Sequence, residues 1–229
     1  MKYIDIIANV VTLISGIVTA MLGYLLYLKY RVKAIRHYAL FILTTNLTVA
    51  STTINSYLTN NLSTAYQGTV SYMIGFLLFE VFLILINLSF ANFARSIIRK
   101  TLSPFHKWML RVSCFFWLVS AALLLWGNAG GDAVVFPLPV YACFALILLI
   151  LFVVFVKCSV EIAVNLKSID NTDLKRALKA MAAAFIAYIP IQTFIILWNR
   201  EWVVIMLSRN IFYLAVNVIS VVFAAKYFF

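Results

Sequence analysis

The stretch KYRVKAIRHY, residues 29–38, places four Lys and Arg side chains within ten positions, between two long apolar segments. Basic residues crowd in the same way into alternate gaps between seven apolar segments, and fourteen of the 18 lie in the first, third and fifth gaps. Cytoplasmic loops of membrane proteins retain Lys and Arg, whereas short external loops lack them. The pattern therefore predicts seven membrane crossings, with the N-terminus outside and the C-terminus in the cytoplasm. The basic residues of these three gaps are Lys29, Arg31, Lys33, Arg36, Arg95, Arg99, Lys100, Lys107, Arg111, Lys157, Lys167, Lys175, Arg176 and Lys179.

The apolar segments have the length that membrane-spanning helices need, which is about 20 residues. Hydrophobic residues make up 65% of the chain and the mean hydropathy is +1.04, whereas a soluble domain is about half apolar. We therefore expect an all-α fold, in which residues 1–229 form one polytopic seven-helix transmembrane bundle. The predicted spans are residues 4–28, 38–58, 69–93, 108–126, 139–156, 178–198 and 202–226.

The net charge of +11 does not indicate a nucleic-acid partner, because the basic residues are divided among membrane-flanking loops instead of gathering on one face. We expect no direct nucleic-acid binding by this chain. The expected partner is the lipid bilayer, whose anionic headgroups are attracted to basic loops at its surface.

The sequence offers few residues for catalysis or for holding a metal or cofactor. Its two histidines, His37 and His106, lie in or beside predicted internal loops and provide no bis-histidine haem site or His-rich zinc site within the bilayer. The three cysteines show no CxxC spacing, and no Gly-x-Ser-x-Gly element or phosphate-binding glycine loop occurs. We expect a protein that is not an enzyme and uses no metal or cofactor.

Glu80 stands near the middle of the third predicted span, within FLLFEVFLIL, residues 76–85. A charged side chain at mid-bilayer costs about 2.5–3.5 kcal/mol on insertion scales, so Glu80 should face the bundle interior and be either protonated or paired. Arg209, in the seventh span, is the cation that the predicted spans place within reach of the Glu80 carboxylate. Two interpretations follow. Glu80 is either a functional group (a ligand contact, a proton-sensitive switch or a counter-ion) or half of a structural pair that joins the third span to the seventh.

Other polar residues extend this candidate site. Asn87 follows Glu80 by seven residues and so shares its helix face. Four polar residues of the seventh span follow a 3-4-3 spacing that also defines one face: Asn210, Tyr213, Asn217 and Ser220. We expect a polar pocket between the second, third, sixth and seventh spans; the alternative is simple interhelical hydrogen bonding, at about 0.6 kcal/mol per bond. The residues that we expect to bind a ligand or act as a switch are Glu80, Asn87, Tyr188, Gln192, Arg209, Tyr213 and Asn217.

Small residues follow a four-residue spacing along the first span. Ser15, Thr19 and Gly23 form one such series, and Gly16 and Ala20 form a second beside it. Small residues at this spacing let two helix backbones approach closely in a membrane. We therefore expect the first span to pack tightly against another helix.

The layout resembles the N-terminal seven-transmembrane sensory regions of bacterial membrane-bound signalling proteins. The resemblance is carried by the seven short-looped spans, by the basic stretch at 29–38 and by the final helix segment FYLAVNVIS, residues 212–220. It implies a bacterial cytoplasmic membrane location and a cytoplasmic effector after the seventh helix, either a histidine kinase or a LuxR-type helix-turn-helix regulator. This chain reaches Phe229 without an effector, so we expect either a longer natural chain or a separate partner protein.

Two functions of different classes remain open. The first is a sensory or receptor domain, in which a small apolar or amphipathic ligand binds within the helix bundle and biases two helix packings. The second is a small transporter, or an integral subunit of a membrane complex. Transporters usually show repeat symmetry and broken helices at mid-membrane, and here only Pro190 offers a break.

Overall fold

The computed structural model describes residues 4–62, 69–98, 101–128, 136–165 and 202–228, together with the single positions 172, 175, 176 and 179. The described segments fold into helices, which confirms the all-α prediction. The predicted sixth span, residues 178–198, lies outside the described residues except for position 179. The six helices are α1 (Ile4–Tyr30), α2 (Lys33–Leu62), α3 (Val70–Ile97), α4 (Pro104–Gly127), α5 (Leu138–Asn165) and α6 (Trp202–Phe228).

Four helices of the described part are long and apolar enough to cross a membrane. They are Ile7–Tyr30, Val70–Ile97, Pro104–Gly127 and Leu138–Asn165, and they correspond to the first, third, fourth and fifth predicted spans. Helix α2 is 30 residues long but more polar, and α6 contains a shorter apolar stretch, Leu207–Val222. A membrane-embedded protein follows from these helices, whereas the count of seven crossings and their direction stay predictions.

The helix ends follow local capping rules. Ser103 caps α4: its Oγ accepts a hydrogen bond from the backbone N–H of His106, and Pro104 takes the first helical position, where its missing N–H costs nothing. Thr69 caps α3 in the same way, accepting from the Tyr72 N–H at 3.3 Å. Because of the Ser-Pro cap, α4 begins four residues before the predicted start of the fourth span, and His106 lies inside the helix.

Helix α3 occupies the centre of the described bundle. It packs against α2, α4 and α5, while α4 packs against α5, and α1 packs between α2 and α6. The core between α2, α3 and α5 is aromatic: the ring centroids of Phe90 and Phe155 lie 4.6 Å apart, and those of Phe41 and Phe90 lie 5.0 Å apart. A smaller cluster of Met73, Leu124 and Val140 fills the opposite end.

The helix ends beside the three Lys- and Arg-rich gaps of the sequence lie together at one end of this bundle. The rings of Tyr38 and Phe93 are 5.0 Å apart, which joins the start of α2 to the end of α3. Arg95 of α3 forms an ion pair with Glu161 of α5, with 3.4 Å between Nη1 and Oε2, and Lys157 lies 3.9 Å from the same carboxylate. The predicted inner side of the protein is therefore a single end of the described helices.

Two of the small residues of α1, Gly16 and Gly23, lie against α2, which confirms the predicted close contact with another helix. A Cβ atom added at Gly16 would overlap the side chain of Asn46, and one added at Gly23 would lie 3.2 Å from the Cβ of Ala39. The two helices therefore approach more closely than larger side chains would allow.

Candidate functional site

Glu80 is fully buried on the face of α3 that meets α4. Its side chain is 0% exposed, and its Oε1 accepts a hydrogen bond from the Ser120 hydroxyl at 3.2 Å. One turn away, the Trp117 indole N–H donates to the backbone carbonyl of Leu77 at 3.2 Å, which holds α4 in register with α3. Among the described residues, Oε2 of Glu80 has no hydrogen-bond partner. One oxygen of this carboxyl group is thus buried and unsatisfied.

Glu80 is not paired with Arg209, so the interhelical ion pair considered from the sequence is not what the structure shows. Arg209 Nη2 instead donates to Asn9 Oδ1 of α1 at 3.2 Å and to Asn210 Oδ1 at 3.4 Å, while Asn210 Nδ2 donates to the same Asn9 oxygen at 2.6 Å. The physical reason is the helix arrangement: this face of α6 packs against α1, whereas the Glu80 face of α3 turns toward α4.

Asn87 shares the α3 face of Glu80, as the seven-residue spacing predicts. Its side chain is 4% exposed and lines a small cavity between α3, α4 and α5, about 10 Å³ in volume. A cavity of this size is at the lower limit for one water molecule. Asn87 Oδ1 has no partner within the described part of the chain, so a second unsatisfied acceptor lies on the same helix face. The cavity is lined by Asn87, Leu88, Ala91, Leu102, His106, Leu110 and Val154.

His106 joins α4 to α5 beside this cavity, and the sequence reasoning did not select it. The ring is 4% exposed; its Nδ1 lies 2.6 Å from the Ser103 hydroxyl, and its Nε2 lies 3.4 Å from the Cys158 thiol. The sequence does indicate that His106 is helical. The Ser-Pro dipeptide at 103–104 is typical of a helix start, and His106 follows it by two residues. Cys158 is buried, as expected for a packing cysteine, but it also contacts this imidazole.

The polar face predicted on the last span does face other helices, although its neighbours are α1 and α2. Asn217 Nδ2 donates to the Ser15 hydroxyl at 3.0 Å, and the Ser220 hydroxyl is hydrogen-bonded to that of Tyr38. Tyr213 is half-buried on the same helix. These contacts anchor the middle of α6 to α1 and α2.

The candidate site residues therefore fall into separate groups. Glu80 and Asn87 face α4 and α5, whereas Asn217 and Arg209 bind side chains of α1. Tyr188 and Gln192 lie outside the described residues. The structure does not join Glu80 and Asn217 in one pocket, because they lie at different helix interfaces.

The contacts of α3 and α6 are the observations from which function can be inferred. Comparison with known proteins adds none, since no known protein family, curated protein sequence or solved structure matches this chain. The two buried acceptor atoms of α3 and the hydrogen bonds of α6 are therefore the features that bear on function.

Proposed function

We propose that this chain is a membrane-embedded sensory or receptor domain that binds a small ligand on the α3 face carrying Glu80 and Asn87. The observation that carries the proposal is the pair of buried, unsatisfied oxygens on this face. Leaving a buried polar group without a hydrogen bond costs about 1–3 kcal/mol. A ligand that donates hydrogen bonds to these atoms would recover that energy. It would therefore partition into this site from the surrounding lipid.

The ligand class follows from the surroundings of the two acceptors. Seven residues of helix place them about 10 Å apart, so a small extended molecule or two separate donors would engage both. The side chains around Asn87 are otherwise apolar, except for His106. A small apolar or amphipathic molecule with a hydroxyl or amino group suits this lining.

Binding would change the packing of α4 on α3, because the cavity beside Asn87 has room for about one water molecule. The described polar contacts between these two helices are the Ser120–Glu80 and Trp117–Leu77 hydrogen bonds. A ligand that donates to Glu80 would compete with the first of them. It would thereby favour a second arrangement of α4. The equilibrium between the two arrangements can shift only by as much as the ligand's affinity differs between them.

The change would reach α6 at the inner end of the bundle. Tyr38 packs on Phe93, near the end of α3, and its hydroxyl is hydrogen-bonded to Ser220 on α6. A movement of α3 that shifts Phe93 would therefore act on α6 through Tyr38. In this proposal α6 passes the signal to a cytoplasmic effector or partner protein.

We further propose that the protein crosses a bacterial cytoplasmic membrane seven times, with its C-terminus inside. The four long apolar helices support the membrane location, and the clustering of basic residues at one end of the bundle supports the orientation.

The experiment that tests the binding site identifies small molecules that copurify with the protein in detergent, by mass spectrometry. We expect Glu80→Leu and Asn87→Leu to lose a molecule that wild type retains. Ser113→Ala is the matched control, because Ser113 is equally buried but its hydroxyl donates to the Met109 carbonyl within α4. Equal retention in all four proteins would contradict the proposed site, and time-dependent accumulation of the molecule in proteoliposomes would favour transport instead.

A further inference from the structure

The turn between α1 and α2 brings two arginine side chains to one aromatic ring. The guanidinium carbon of Arg31 lies 6.0 Å from the centroid of the Tyr27 ring, and that of Arg36 lies 5.8 Å from the same centroid. Both arginines are exposed, as is Lys33 between them. Cations at this distance are attracted to the face of a tyrosine ring. Two exposed guanidinium groups therefore lie within about 6 Å of the Tyr27 ring.

The backbone at Arg31 is unusual. Its φ angle is +55°, and within the described residues it is the only position other than glycine with positive φ. Its N–H donates to the Tyr27 carbonyl at 2.7 Å, which closes the last turn of α1. Glycine adopts this conformation without steric cost and is the usual residue at such a helix end. The chain thus carries a guanidinium group where helix termination alone favours glycine.

Neither guanidinium has an acidic partner in the part of the chain that the structure describes. The ion pairs found there both involve Glu161 of α5, and the stretch at 29–38 contains no Asp or Glu. Nearby, burial and then the charges of Arg36 and Lys33 lower the pKa of His37. The turn is accordingly a region of positive potential with several N–H donors available.

We infer that Tyr27, Arg31 and Arg36 form a binding site for a phosphate group, as carried by an anionic lipid headgroup or by inorganic phosphate. Arginine presents planar N–H donors that bind phosphate oxygens in pairs, and two such groups provide a clamp. The site lies where the apolar helix α1 ends, which is the depth of lipid phosphates if α1 spans the bilayer. The inference does not depend on the proposed ligand site of α3, which is on other helices.

The test measures the thermal unfolding of the full chain in micelles of a neutral detergent. Phosphatidylglycerol, phosphatidylcholine and inorganic phosphate are titrated separately. We expect a saturable rise in Tm with phosphatidylglycerol if the phosphate comes from lipid, or with inorganic phosphate if it is soluble, and none with phosphatidylcholine beyond the effect of added neutral lipid. In the double variant Arg31→Gly/Arg36→Ala, the anion concentration at half-saturation should rise at least about tenfold. The reason is that losing one charge-assisted hydrogen bond weakens binding by about this factor.

Two controls separate a specific site from general charge. Arg31→Gly alone relieves the left-handed strain, so it should fold at least as well as wild type while binding the anion more weakly. Lys107→Ala/Arg111→Ala removes two exposed cations from α4 that contact no aromatic ring among the described residues, and it should leave half-saturation within about twofold. Equal losses in both double variants, or no saturable anion effect in wild type, would overturn the inference.

Discussion

The hydroxyl groups of Tyr38 and Ser220 are hydrogen-bonded, which ties the start of α2 to the C-terminal half of α6 across 182 positions of sequence. The same tyrosine ring packs at 5.0 Å from Phe93 of α3 and at 6.2 Å from Phe41. Tyr38 is thus in contact with the helix that carries the two unsatisfied oxygens and with the helix that leads to the C-terminus. In the proposed function it is the side chain that couples α3 to α6.

Tyr38→Phe should destabilise the fold only slightly, by about 0.6 kcal/mol, because one interhelical hydrogen bond is lost while the ring packing stays. Ser220 keeps its hydrogen bond to the Val216 carbonyl at 2.6 Å. The measurement is equilibrium unfolding in mixed detergent micelles. Tyr24→Phe is the control, since Tyr24 is exposed, and equal effects of the two substitutions would show that the Tyr38 hydroxyl does not stabilise the bundle.

Gly16→Ala should destabilise the protein by about 1–3 kcal/mol, because the added methyl group overlaps the buried side chain of Asn46. Asn46 cannot move freely, since its Nδ2 donates to the Ile42 carbonyl at 2.9 Å. Gly127→Ala is the matched control, as no described residue beyond its own stretch of helix has an atom within 4 Å of the added methyl group. Combining Gly16→Ala with Asn46→Ala should recover part of the loss, and strictly additive effects would contradict this contact.

Ser120→Ala should cost about 1–3 kcal/mol, because it removes the hydrogen bond that the structure shows for the buried Glu80 carboxyl. In the Glu80→Leu background the same substitution should cost little, since an apolar pair leaves no unsatisfied group. Unfolding of the four proteins gives the coupling energy between the two residues. A coupling energy near zero would show that the bond does not stabilise the α3–α4 interface.

The pKa of His37 should lie below its ordinary value of 6.5, first because of burial and then because of Arg36 and Lys33. The unfolded chain then takes up this proton at a higher pH than the folded protein. His37 therefore lowers the stability as the pH falls below 6.5, and has no such effect above it. NMR titration of the imidazole measures the pKa directly, and His37→Gln assigns the signal because the chain has two histidines. A pKa above 6.5 would contradict the positive potential at this turn.

Reporter fusions should place Arg36 and Lys175 on the same, cytoplasmic side and Gly127 on the outer side. The reason is that Lys and Arg are concentrated in alternate gaps of the sequence. The assay compares an enzyme active only outside the membrane with a fluorescent reporter that matures inside. Opposite locations for Arg36 and Lys175 would mean that the number of crossings between them is wrong.

Sequence periodicity predicted the polar faces of individual helices better than it predicted their partners. The seven-residue spacing of Glu80 and Asn87 placed both on one face, which the structure confirms. The spacing of Asn210 and Asn217 likewise marked a buried face of α6. The helices beside Glu80 and Asn87 are α4 and α5, and Asn217 contacts α1, none of which the sequence had placed at the site. Spacing within one helix contains no information about which neighbour covers it.

The sequence by itself determined that this is an all-α protein with apolar helices long enough for a membrane, since hydropathy and length act locally along the chain. The small residues of α1 also predicted a close helix contact, and the structure shows that α2 is the partner at Gly16 and Gly23. Only the tertiary structure decided that Ser120 is the partner of Glu80, that Asn9 is the partner of Arg209, and that two arginines share the Tyr27 ring. Such pairings depend on how helices rotate and cross, which is set by the combined packing of many side chains far apart in sequence.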